Sequence, residues 1–154
     1  MRCDEHVRLE ARLNDLFQRV AEFQHDPEIQ AHWAKYLCVL CSGYLETSVR
    51  TILENHVRTK ASPHIADFVA DTVADFQNPK MPKILEILGK FKGQWRDNLE
   101  AKSEGRLKDA VDSIVANKNN IAHGRDVGVT YVNVKEYFEC AKEVVGLLEH
   151  EVRS

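Results

Sequence analysis

The sequence predicts an all-α fold, an up-and-down helical bundle of five to six helices built as a single domain over residues 1–154. Three observations carry that expectation. Apolar residues recur at helical spacing almost throughout the chain. Two dipeptides that start helices, Asp26-Pro27 and Ser62-Pro63, punctuate the pattern, each a capping side chain followed by proline at the first turn. The one stretch of β propensity, Val129 to Val132, is four residues long and lacks a partner strand, so it reads as loop.

Each element follows in order. A first helix from about Asp4 to Phe23 carries Val7, Leu13, Leu16, Phe17 and Val20 as its buried stripe. A long helix from Pro27 to about Thr59 has apolar residues on more than one face near its middle, which predicts a central position. A third helix passes through Ile65, Phe68, Val69 and Val73 to about Phe76, and Asn78 to Pro82 forms a turn. Lys83 to about Phe91 makes a short helix. A further helical segment with Trp95 and Leu99 is interrupted near Ser103-Glu104-Gly105. The next helix begins near Arg106 and stops at Gly124, the natural left-handed terminator. After a loop from Arg125 to Val132, Asn133 and Glu136 are spaced as a capping box for the last helix, which carries Tyr137, Phe138, Ala141, Val144, Val145, Leu148 and Val152.

Composition narrows the function. With 154 residues, 44% apolar and 29% charged, the chain can bury a core without disulfides or metals. No apolar run approaches the ~20 residues of a membrane span, and the acidic start (Met1 to His6) does not read as a secretion signal. The expected location is therefore the cytoplasm, with no membrane partner. A net charge of −3 argues against broad, sequence-independent nucleic-acid binding. The charge is uneven, because residues 80–108 hold eight basic and four acidic side chains while both flanks are acidic. That middle is either a solvated helical surface or a surface facing a polyanion. Cys38 and Cys41 have the spacing of a metal or redox pair. They lie in an apolar helical run with no second ligand pair, however, and read as buried thiols. The histidines form no ligand constellation either, so no metal and no cofactor is expected.

One segment carries chemistry. Leu107, Val111, Ile114, Lys118 and Ile121 are spaced 4, 3, 4 and 3, the rhythm of a buried seam, so Lys118 occupies a position where an apolar residue would be routine. Its stem can lie on apolar surface and deliver the ammonium to a groove. His123 precedes Gly124 at the carboxyl end of that helix, where the dipole favours an imidazolium. Five residues at roughly 100° each place Lys118 and His123 about 140° apart, whereas Asn119 shares the face of His123. One helix cannot focus Lys118 and His123 on a single atom. A histidine before a terminating glycine also serves as a plain helix end, and Asn119 and Asn120 are common there for structural reasons.

Lys118-Asn119-Asn120-Ile121-Ala122-His123-Gly124 resembles the Arg-Asn-x-Ile-Ala-His-Gly signature of HEPN domains, and more narrowly of the RiboL-PSP-HEPN branch. Further features fit that branch: Tyr44-Leu45-Glu46 within the long helix, the proline-rich turn leading to Lys83–Phe91 and Trp95, and the closing helix after the His-Gly loop. The likeness runs from about Ala31 to Val152. It implies a metal-independent endoribonuclease, of toxin or antiviral-effector type, whose two copies pair about a two-fold axis and line one composite cleft. On that carry-over His123 is the general base or acid, Lys118 stabilises charge on the transition state, and Asn119 orients His123 or a phosphate oxygen. Asn120 and Arg125 would contact substrate. Glu46 would support the site by pairing with Lys118, or would simply face solvent.

This sequence departs from the signature at its first residue. Arginine offers phosphate a rigid two-pronged fork, and lysine only a point charge. The alternative reading is therefore a catalytically weak or inert HEPN domain that binds RNA, nucleotide or a partner protein, such as an antitoxin or a neighbouring gene product. A purely structural dimerising bundle is a third.

Overall fold

The computed structural model describes residues 4–154; Cys3 and the rest of the first three positions lie outside the described residues. The described chain is helical throughout: α1 (Glu5–Ala21), a short 3-10 turn (Glu22–His25), α2 (Pro27–Lys60), α3 (Pro63–Ala74), α4 (Met81–Phe91), α5 (Gly93–Ser103), α6 (Arg106–Ala122) and α7 (Tyr131–Arg153). The all-α expectation is met, with seven α-helices among the described residues rather than five to six. The seven correspond to the helical segments read one by one along the sequence, so only the total was low, and the separation of the fourth from the fifth is sharp. Lys92, a single residue in extended backbone (φ −160°, ψ 119°), separates α4 from α5.

The long helices α1, α2, α6 and α7 form the frame, with α2 and α7 running side by side in the same direction and α1 and α6 opposed to them. The Tyr44 hydroxyl donates to Glu10 Oε1 at 2.9 Å, and Gln30 Nε2 to the Val20 carbonyl at 3.3 Å, setting α1 antiparallel to α2. The Tyr131 hydroxyl donates to the Phe17 carbonyl at 2.8 Å, and Lys142 Nζ to Asn14 Oδ1 at 3.0 Å, setting α7 antiparallel to α1. Cys38 Sγ donates to the Ile114 carbonyl at 3.7 Å, fixing the register of α2 against α6. The predicted central helix, α2, packs on α1, α3, α6 and α7. Leu13, Leu37, Leu45 and Ile114 fill the core around a stack of Phe17 on Phe138 (centroids 4.9 Å, 7° between planes), with Tyr44 edge-on to Phe138.

The three short helices sit in the connection between α2 and α6. Arg50 Nη1 donates to the Ala74 carbonyl and holds the end of α3 on α2. The amide of Met81 donates to Asp112 Oδ1 at 2.8 Å, so a side chain of α6 caps α4. Buried Glu151 of α7 accepts from Asn98 Nδ2 (2.6 Å) and Lys102 Nζ (3.3 Å) of α5. No helix of the described residues is long and apolar enough to cross a membrane.

Three local expectations need correction. On α1 the buried stripe contains His6 (4% exposed) and not Val7 (50%). His6 lies seven residues before Leu13, within about 20° of it around the helix, whereas Val7 is about 120° away. Asp26 caps α2 as expected, accepting from the Ile29 amide. The last helix, in contrast, starts at Tyr131, where Thr130 is the cap and its Oγ1 accepts from the Asn133 amide at 3.2 Å. Asn133 instead accepts from that hydroxyl. Val129 to Val132 is thus the entry to α7, with Val129 buried in the core. Likewise Met81 and Pro82 form the first turn of α4, where proline lacks only a donor that has no partner anyway.

Candidate functional site

Gly105, at φ +83°, turns the chain into α6, and Leu107, Val111 and Ile114 bury that helix against the core as the seam spacing predicts. The burial fades toward its carboxyl end, where Asn117 to Ile121 are half-buried and Ala122 to Asp126 exposed. The stop is a left-handed glycine turn. Gly124 takes φ +70°, its amide donates to the Ile121 carbonyl at 3.1 Å, and the Arg125 amide donates to the Asn120 carbonyl at 2.8 Å. His123 is the residue at the helix cap, its own amide donating to the Asn119 carbonyl.

This ending sets out the side chains in a fan. At 100° per residue, Asn119, His123 and Asn120 stand about 100°, 140° and 200° round from Lys118. Lys118 Nζ lies 3.5 Å from Asn119 Oδ1, on one side of the imidazole. On the other side Arg125 Nη1 donates to Asn120 Oδ1 at 3.2 Å. Round the helix His123 thus stands between Asn119, which meets the Lys118 ammonium, and Asn120, which meets the Arg125 guanidinium. Among the described residues neither cation has an ion-pair partner, and the exposed imidazole of His123 makes no hydrogen bond. Arg125 gains its place from the glycine turn, which folds the chain back on α6; spacing alone left it on a loop.

A family model described as RiboL-PSP-HEPN matches residues 5–152, nearly the whole chain. The chain belongs to the RiboL-PSP-HEPN family. No curated protein and no solved structure matches it.

In this HEPN chain Glu46 stands apart from the motif. Its Oε1 accepts from Arg50 Nη2 at 3.2 Å, one turn along α2, so it neither pairs with Lys118 nor faces solvent unpaired. The register explains the distance. Cys38 lies opposite Ile114, so Glu46 is eight residues off in one direction and Lys118 four in the other, about 18 Å along the helix axes.

The basic stretch of the HEPN chain is largely neutralised where it sits. Lys90 pairs with Glu86, Arg96 with Asp97, Lys102 with Glu151, Arg106 with Glu143 and Lys108 with Asp112. Salt-bridged helix surface describes it better than a polyanion track. Cys38 and Cys41 are buried, and loss of water pushes the Cys38 thiol up to about 11, so neither is a ready thiolate. Among the described residues no three His, Cys, Asp or Glu side chains are grouped so as to hold a metal.

Two clefts lie at the opposite end of the bundle. One, of about 390 Å³, sits between the carboxyl ends of α2 and α7 beside His56 and Lys60. The other, of about 510 Å³, runs between α3 and α4. Neither is lined by a motif residue. At the His123 end, Ala122 to Asp126 are exposed to solvent.

Proposed function

We propose that this HEPN chain is a metal-independent endoribonuclease whose active cleft forms where two copies set their α6 ends together. The observation that supports this most is the exposed, unbonded His123 imidazole beside two cations that have no carboxylate partner. The two cations stand beside the motif histidine, where an anion can meet all three groups.

In the reaction, a neutral imidazole takes the proton of a ribose 2′-hydroxyl and the freed oxygen attacks the adjacent phosphorus. The bond from phosphorus to the 5′-oxygen breaks, and an imidazolium supplies the proton that this leaving oxygen takes up. The products are a 2′,3′-cyclic phosphate and a 5′-hydroxyl. Lys118 and Arg125 meet the charge gathering on the non-bridging oxygens, and Asn119 holds the ammonium at its angle. Two histidines, one from each copy, serve base and acid without either moving.

The test is RNA cleavage by the full chain in EDTA, with product ends identified by mass spectrometry. The wild type cleaves and leaves cyclic phosphates, and His123→Ala lowers the rate by roughly 10²–10⁴-fold. Cleavage that survives that change overturns the proposal.

Lysine at the signature's arginine position favours a second reading, a domain that binds RNA or a partner protein without cutting. Lys118→Arg separates the two. A parent that binds but does not cut, with an Arg variant that does, supports the binding reading; a parent already active, gaining about tenfold with Arg, supports the nuclease.

A further inference from the structure

The groove between α3 and α4 is lined by Asp75 on the α3 side and by Lys83, Glu86 and Lys90 on the α4 side, and the two helices differ in charge. Residues 63–75, comprising α3 and its cap, contain Asp67, Asp71 and Asp75 and no lysine or arginine. Residues 80–92, comprising α4 and its flanks, contain Lys80, Lys83, Lys90 and Lys92 against Glu86 alone. Asp67 is paired with Arg58, and Glu86 with Lys90. Among the described residues Asp71, Asp75 and Lys83 have no ion-pair partner; Lys83 rests 5.7 Å from the centre of the Phe76 ring.

Between the walls lies apolar surface. Phe68 is 72% exposed, and Val69, Phe76, Ile87 and Phe91 line the groove beneath it. Asp75 lines the groove and Asp71 stands one turn before it, just outside, both within about 60° of Phe68 around α3. Their placement is unfavourable for α3 alone, since carboxylates near a helix carboxyl end oppose the dipole and no base stands in that last turn. An external cation would relieve them.

We propose that this groove is an interface between two copies of the chain, with α3 of each lying against α4 of the other. The charge split selects this geometry. A two-fold axis running along the groove brings the acidic wall of one copy onto the basic wall of its partner, twice over, with each Phe68 entering the opposite groove. An axis across the groove would set acid on acid and base on base. The groove is at the far end of the bundle from His123, so the contact is independent of the pairing proposed for catalysis.

A charge exchange tests it in the full-length chain by sedimentation velocity. One variant carries Asp71→Lys with Asp75→Lys, the other Lys83→Glu with Lys90→Glu, all at exposed positions. Each variant alone has about half the association mass of wild type, and an equimolar mixture recovers it, because each reversed wall then faces its complement. Phe68→Asp lowers the mass equally, and circular dichroism shows each variant folded. Added salt weakens the wild-type contact. Variants that match the wild-type mass, or a mixture that recovers nothing, overturn the proposal and leave the groove to a helix of some other protein.

Discussion

At the end of α6 a single glycine arranges the candidate site. Gly124 holds φ +70°, a region that side chains with a Cβ enter at a cost of about 1–2 kcal/mol. No atom lies within 4 Å of where that Cβ would stand, so the penalty is purely one of backbone. Gly124→Ala is thus expected to cost about 1–2 kcal/mol, or roughly 2–4 °C in Tm for each kcal/mol, measured by thermal unfolding. Cleavage by a variant that is still folded should fall as well, because the same turn holds Arg125 against Asn120. A second residue-scale prediction concerns Glu151. The hydrogen bond from Asn98, and then that from Lys102, holds its carboxyl below the ordinary value of 4.5. A folded-state value below the unfolded one contributes stability above the unfolded value, and this is lost as pH falls through the folded one. Glu151→Gln is therefore expected to be less stable than wild type at about pH 7, with the deficit shrinking toward about pH 3, as followed by denaturant midpoints.

At the scale of elements, the entry into α7 shows how two plausible caps compete. Asn133 with Glu136 has the spacing of a capping box, yet Thr130 takes the position. Burial of Val129 and the reach of the Tyr131 hydroxyl to the Phe17 carbonyl start the helix earlier, and Asn133 becomes an accepting partner within the first turn. Thr130→Ala should accordingly cost about 1 kcal/mol, and Asn133→Ala less, in chemical denaturation. The reverse order would return the cap to Asn133. Lys92 acts in the same way by a different means, its extended backbone redirecting the chain so that α5 reaches Glu151 of α7.

At the scale of the whole molecule, the proposed nuclease makes the α6 end one half of a site. Lys118 and His123 diverge by about 140°, and neither of the two clefts described above is lined by them. If two copies contribute to each cleft, then wild-type and His123→Ala chains unfolded and refolded together in equal amounts give about a quarter of the cleavage of wild type at the same total concentration, because a mixed pair holds one imidazole where base and acid need two. Activity of about half, following the wild-type fraction, would place each site within one chain. The assay reads this pairing apart from the α3–α4 contact, because the change does not touch the groove.

Local sequence by itself determined the helices, their order and the motif. Apolar periodicity, proline at first turns and glycine at the α6 stop are short-range physics, and they also carried the family resemblance that the match over residues 5–152 bears out. Tertiary structure alone decided which of two neighbouring residues faces the core, as with His6 and Val7, and which carboxylate meets which cation. Glu46 and Lys118 share apolar surroundings in the sequence, yet the Cys38–Ile114 register holds them about 18 Å apart. Part of the basic charge of residues 80–108 likewise ended in two ion pairs with α7 that no spacing along the chain reveals. The reason is common to all of these: periodicity records a residue's angle about its own helix, whereas pairing depends on the offset between helices, which only packing sets.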